Sequence, residues 1–510
     1  MRFPALLCAA GLTAASLATA ALASPPETAD ADTKAWWSIT EELSSDAMEG
    51  RDTGSAGYDR AADVVARAFA AAGLKPAGND GGWFQPVAMD EIAITRAALR
   101  VGGRPLTFLY DYRFTPTAAM PLQFTAPLAY RGYCDASVLG MVAGKIVICH
   151  ATRRAGLPGD ADREAAVKAA GGIGILSIAD PGFTVEPPRW PAAYARQVRL
   201  AGASADTDRF VRIVVNAGAL GTLTGKSGAE AADLIARGSR GDPLPAFDIA
   251  DPLDARIETK ARRISSSNVL GLLPGTDPAR AGEAIVLSAH LDGYGYGEPI
   301  GGDNLYNGTL DDAAYVALLI RLAQQRQGKG YARPVLFAAF AGEEKGLLGG
   351  EYFVTHPTLP KAALAGNINL DQLRPIFPLD LLTVHALEDN SLGVDARDVA
   401  TGLGIAVQRD PEPERNMLKR SEHWAFIKAG IPATGFVFGY RPGTKSEEIY
   451  RHWYKTGYHT PQDDPGQPID WQAAGDFNRF FYALVDRVAN KDSVPGWNAD
   501  SPLRPGYLKP

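Results

Sequence analysis

From residue 268 onward, apolar and polar positions fall into blocks of two kinds. Residues 267–272, 284–289, 334–340, 366–370 and 431–438 are short, nearly uninterrupted apolar runs such as "AIVLSA" and "PVLFAAF". Runs of that length read as strands buried on both faces. Between them, 311–325, 342–354 and 395–402 read as helices. Strands alternating with helices predict an α/β sheet covered on both faces. Residues 36–43 and 55–72, the latter stopped by Gly73, read as helices that complete the same layer. Between 94 and 264 the texture changes. Short β-type runs at 145–149 and 174–178 alternate with Pro/Gly-rich loops and a helix near 163–170. This stretch holds almost none of the residues a hydrolytic centre needs.

The amino-terminus has a pattern of its own. Arg2 precedes an Ala/Leu-rich stretch over 5–22, and Ala21-Leu22-Ala23 offers a small-x-small cleavage pattern just before Pro25 and Pro26. The expectation is a signal peptide over 1–23, cleaved after Ala23, and a periplasmic or secreted mature chain. A membrane anchor is the alternative, because the stretch approaches spanning length. A lipoprotein signal at Cys8 is disfavoured by Leu7 before it. No second hydrophobic span follows, so no stable membrane insertion is expected after cleavage. Cleavage would leave Cys134 and Cys149, either a disulfide or two buried thiols.

Length and charge narrow the picture slightly. At 510 residues the chain exceeds one ordinary core, and a net charge of −7 without a basic run gives no support for a nucleic-acid partner, so none is expected.

The polar residues that break the pattern gather where strands end. "AIVLSA" runs into His290-Leu291-Asp292, "PVLFAAFAG" into Glu343-Glu344, and "NINL" into Asp371; Asp311-Asp312 precedes a helix, and His459 sits in a late loop. Strand ends of open α/β sheets are where functional groups collect. Imidazole with carboxylate is the ligand mixture of catalytic zinc. Two zinc ions need a bridging carboxylate, and the hydroxide between them becomes a nucleophile near neutral pH. The symmetric reading gives His290 and Asp371 to one ion, Glu344 and His459 to the other, and Asp311 to both. Glu343 is then free as general base, and Asp292 is placed to hold the other ring nitrogen of His290.

These motifs resemble the co-catalytic zinc peptidases that include bacterial leucyl aminopeptidase, aminopeptidase Y and glutamate carboxypeptidase II. The likeness is carried, in order, by "SAHLDG", "YNGTLDDAA", "FAAFAGEEKGLLGGEYF", "NINLDQ", "SEHWAFIKAGIPA" and "YHTPQDD", and spans 36–94 and 265–487. It implies a three-layer α/β/α zinc-peptidase sandwich with a mixed sheet, two Zn2+ per chain on His290, Asp311, Glu344, Asp371 and His459, and Glu343 as catalytic residue. The middle segment, marked by "GKIVICH" and "AAVKAAGGIGILSI", resembles a protease-associated insert. The implied division is 24–94 and 265–510 for the peptidase and 95–264 for a small β-rich insert. Departures from the family pattern are Asp312 and Tyr315 after the bridging Asp, Glu422 in Ser421-Glu422-His423, and Gln372 after Asp371.

The resulting expectation is an exopeptidase acting on peptides, an aminopeptidase first. A carboxypeptidase or dipeptidase, with Arg374 or Arg420 as carboxylate clamp, is the alternative; a glutaminyl cyclase or a non-catalytic binding protein ranks lower. Other features read as ordinary. His150, His356, His385 and His452 are taken as core or surface residues. His423 is taken as lying beside the site or facing substrate without touching metal. Asp463, Asp464 and the acids around Glu412 are taken as solvated loops, and Arg374 and Arg420 as surface cations.

Overall fold

A computed structural model describes residues 23–181, 189–371 and 374–507; the expected signal stretch up to Leu22, with Cys8, and Gln372 lie outside these. The strand Ala284–His290 sets the pattern for the larger lobe. All seven of its residues are buried. Ile285, Leu287 and Ala289 enter one core and Val286 the other, as period-two alternation requires of a strand covered on both faces. It pairs in parallel with Val335–Phe340 and Leu364–Asn369, and the latter pairs in parallel with Ala433–Phe438. Leu381–His385 then runs antiparallel, and on the other flank the end of the long strand Ala246–Leu273 also pairs antiparallel. The sheet is therefore mixed. Trp36, Phe69, Leu319, Ala396 and Phe480, from five helices, cover one face; Phe353 and Phe426 cover the other. The amino-terminal helix Ala31–Leu43 joins this layer where Trp36 Nε1 donates to the Ala314 carbonyl at 2.7 Å.

Two expected helices begin later than the pattern suggested. That expected over 342–354 starts at Leu348, because Gly342, Gly346 and Leu347 take positive φ of 71°, 106° and 61°, which an α-helix cannot accommodate. The one expected over 311–325 becomes regular only at Ala314, after a wide turn over Thr309–Ala313. Both delays leave acidic residues in turns rather than on helices.

The middle segment builds a core of its own around Leu128, Ile148, Leu176 and Ile213. Its strands Gln123–Arg131, Ile146–His150, Gly174–Ile178 and Val211–Val215 are parallel. A disulfide joins Cys134 to Cys149. The two lobes share strands. Phe84–Val101 and Ala246–Leu273 pair antiparallel from Phe84 opposite Val269 to Val101 opposite Leu253. The expected boundaries at 94/95 and 264/265 both fall inside this ladder. No helix among the described residues is long and apolar enough to cross a membrane.

Candidate metal centre

Three neighbouring parallel strands deliver their carboxyl ends to one point. His290 is the last residue of Ala284–His290, Glu343 and Glu344 follow Val335–Phe340, and Asp371 follows Leu364–Asn369. Asp311 arrives from the turn before the helix Ala314–Arg326, and its peptide bond to Asp312 is cis. His459 comes from the loop after Lys445–Thr456. Asp311 faces both imidazoles: Oδ1 lies 3.1 Å from His290 Nε2 and Oδ2 lies 3.2 Å from His459 Nε2. Asp371 Oδ1 is 3.8 Å from His290 Nε2, and Glu344 Oε2 is 3.8 Å from His459 Nε2. Ligand atoms of His290, Asp311 and Asp371 lie within 4.8 Å of one another, as do those of Asp311, Glu344 and His459; Glu343 forms a third such group with His290 and Glu344.

The chemistry of this cluster fits a divalent cation. Asp311 Oδ2, Glu344 Oε1 and Asp371 Oδ1 are buried without a hydrogen-bond donor, although such oxygens are costly to bury unpaired. Burial and neighbouring carboxylates push Glu344 up to about 7 and hold Glu343 well above the carboxylate range. Burial alone would lower His290, but Asp312, Asp311 and Asp371 raise it instead. Negative charge is thus crowded, and the nitrogen and oxygen donors gathered here suit zinc.

Residues around this cluster hold its backbone. Asp292 holds the other ring nitrogen of His290 through its carbonyl, 3.0 Å from Nδ1. The carboxylate stands 3.8 Å away because it is engaged elsewhere, accepting the backbone N–H of Glu343 (3.0 Å) and Glu344 (3.3 Å) and the Thr53 hydroxyl (2.8 Å). Asp312 accepts the His290 N–H at 3.1 Å. Asp463, expected in a solvated loop, is instead buried and accepts the N–H groups of Leu310 (2.9 Å) and Asp311 (3.0 Å). It fixes the turn that carries Asp311, and burial raises its carboxyl to about 7.

Arg374, expected at the surface, is fully buried, with its guanidinium 4.7, 5.3 and 4.6 Å from the rings of Tyr450, Trp453 and Tyr454. Cation–π contact with three rings removes it from any role as a substrate clamp. His423 is buried and belongs to none of these three groups; its Nε2 lies 3.4 Å from His385 Nδ1. Glu422 is also fully buried, and burial lifts it to about 7.

Sequence reasoning missed three residues. Tyr294 donates its hydroxyl to Glu344 Oε2 and lies edge-on to His459. Arg51 donates to the carbonyls of Leu291, Leu43, Asn307 and Gly308. Tyr194 reaches His459 from the insert. Only Arg51 carried a signal, as a lone cation beside the "DTGSAG" loop; the tyrosines are placed by long-range packing. A cleft of about 500 Å³ opens over the cluster, lined by Asp311, Glu343, Glu344 and Asp371 below and by Arg113, Tyr194, Arg196, Lys419 and Arg420 among its walls.

A carboxylate facing two histidines at the strand ends of a mixed α/β sheet is a donor arrangement that suits a catalytic divalent metal ion. Residues 268–485 match the model of Peptidase family M28. Leupeptin-inactivating enzyme 1 of Streptomyces exfoliatus is 25% identical over 342 residues, covering 66% of this chain and 68% of that protein. Among solved structures, the aminopeptidase from Aneurinibacillus sp. strain AM-1 is similar with a TM-score of 0.60 at 17% identity, covering 91% of this chain and 95% of that one. BSAP, a zinc aminopeptidase from Bacillus subtilis, is similar with a TM-score of 0.59 at 18% identity, covering 91% and 96%. At these identities the structural likeness speaks for the fold.

Proposed function

We propose that the chain is an exported aminopeptidase working with two zinc ions, one held by His290, Asp311 and Asp371 and the other by Asp311, Glu344 and His459. The observation that carries this reading is Asp311, whose two oxygens face two separate imidazoles at 3.1 and 3.2 Å. Bound there, the ions would supply Lewis-acid polarisation of a peptide carbonyl and acidify a water molecule. The protein's own groups perform the rest. Glu343, reachable from the cleft and fixed through its N–H on Asp292, takes a proton from the attacking water and returns it to the leaving amine. Tyr294 holds the Glu344 carboxylate in place.

Aminopeptidase is favoured because similar proteins bear that name and because insert residues Arg113, Tyr194 and Arg196 wall one side of the cleft, which suits the end of a peptide better than its middle. We read the insert as a protease-associated domain that limits substrate size. Export is supported by the expected signal at 1–23 and by a disulfide, a bond that persists in oxidising compartments. Amino-terminal sequencing of protein from the periplasm or medium is expected to begin at Ser24.

A carboxypeptidase remains the second reading on one observation: Arg113, Lys419 and Arg420 line the same cleft, and such cations suit a terminal carboxylate. Aminoacyl-nitroanilides with free and blocked amines separate the two. Turnover of free-amine substrates alone is expected; hydrolysis confined to blocked peptides with a free carboxylate, lost in Arg420→Ala, overturns the aminopeptidase reading. Glu343→Gln is expected to keep its zinc, counted by elemental analysis, while kcat falls at least about 100-fold.

A further inference from the structure

The side chain of Tyr194 brings the insert into hydrogen-bond contact with His459. Tyr194 lies in the short turn Ala192–Ala195, which is pinned on both sides. Before it, Pro191 bridges to Gly297, and Arg189 lies 3.6 Å from Glu298. After it, the strand Arg196–Leu200 pairs with Phe84–Val101, and Arg196 forms an ion pair with Asp52. The Arg113 guanidinium braces the Tyr194 ring from 5.3 Å. So held, the ring stands edge-on to His459, with its hydroxyl hydrogen-bonded to Nδ1. The opposite nitrogen, Nε2, is the one that faces Asp311. Tyr294 also lies near this imidazole, but its proton goes to Glu344.

We propose that Tyr194 is a positioning residue of the metal centre: its phenol oxygen accepts a hydrogen bond from the Nδ1–H of His459 and so favours the tautomer whose bare Nε2 is aimed at the ion shared with Asp311 and Glu344. An imidazole can ligate through one nitrogen only while that nitrogen is unprotonated, and a hydrogen bond at the other fixes tautomer and ring orientation. The insert is then a structural part of the metal centre rather than a cover over it. The proposal rests on the reading of His459 as a metal ligand.

The test uses the full-length mature protein as wild type, Tyr194→Phe, Tyr194→Met and His459→Ala. Each is loaded with zinc and titrated with a competing chelator, and each is loaded with cobalt(II) and followed by visible absorption. Tyr194→Phe is expected to hold one ion as wild type does and to release the other 10–100-fold more readily, with an altered cobalt spectrum for that ion and an unchanged unfolding midpoint of the metal-free protein. Tyr194→Met should show the same selective loss. Wild-type affinity for both ions with an unchanged spectrum overturns the role of Tyr194. Loss of both ions together with a lowered metal-free midpoint also overturns it, since the residue would then serve only the fold. If His459→Ala keeps both ions at wild-type affinity, the underlying ligand reading fails instead.

Discussion

Arg51 spreads its fully buried guanidinium across four backbone carbonyls, and two of them, Leu291 and Gly308, belong to the segments that bring His290 and Asp311 to the centre. A lysine has the charge but not the planar fork, so Arg51→Lys strands at least one buried carbonyl, at about 1–3 kcal/mol each. A loss of about 3 kcal/mol in urea unfolding is expected. His385 makes a second test at this scale. Burial depresses it to about 4, below its ordinary 6.5. Between those values the unfolded chain binds a proton that the folded chain does not, so this contribution is present above pH 6.5 and is lost as pH falls toward 4. The stability advantage of wild type over His385→Gln is expected to shrink by roughly 3 kcal/mol across that window, read by urea unfolding at each pH. Single residues were also where sequence reading was least secure. Arg374 looks like a surface cation until Tyr450, Trp453 and Tyr454 close around it, and Asp463 looks solvated until its loop folds under Asp311. Neither environment leaves a local pattern.

Elements were more legible. Strands such as 284–290 and 335–340 are apolar throughout because both faces are covered, and the first polar residues after them had to lie at the sheet's rim. That one regularity located His290, Glu343 and Asp371 together. The helix Lys445–Thr456, which carries the cage around Arg374, escaped notice because its mostly charged face obscures a few aromatic contacts. In the insert, Cys134 and Cys149 closed a choice the sequence left open. A loop of about 15 residues locked by a disulfide is worth about 3 kcal/mol. Reduction, or the paired change of both cysteines to serine, is expected to lower the insert's unfolding free energy by about that amount, followed by denaturant titration of the intact chain with and without reductant.

At the scale of the whole molecule, metal and fold are coupled. Anything that binds the native chain alone stabilises it by mass action, about 4 kcal/mol at a thousandfold excess over Kd. A cation bound at this cluster would also quiet carboxylates that raise one another's proton affinity. Treatment with a strong chelator is expected to abolish peptidase activity and to lower the melting temperature by several degrees, both restored by zinc; a melting curve unmoved by chelation argues against metal at this cluster. The paired strands Phe84–Val101 and Ala246–Leu273 give the molecule a further property. The insert is woven in, since its junction runs along a long antiparallel ladder broken only by a register shift between Glu258 and Thr259. Cutting it out would leave two raw strand edges beside the reaction centre, exposed to pairing with other chains. A lineage carrying this architecture would find the insert hard to discard even if its first use had faded, and an engineer wishing to exchange it would have to graft along the strands rather than at a linker.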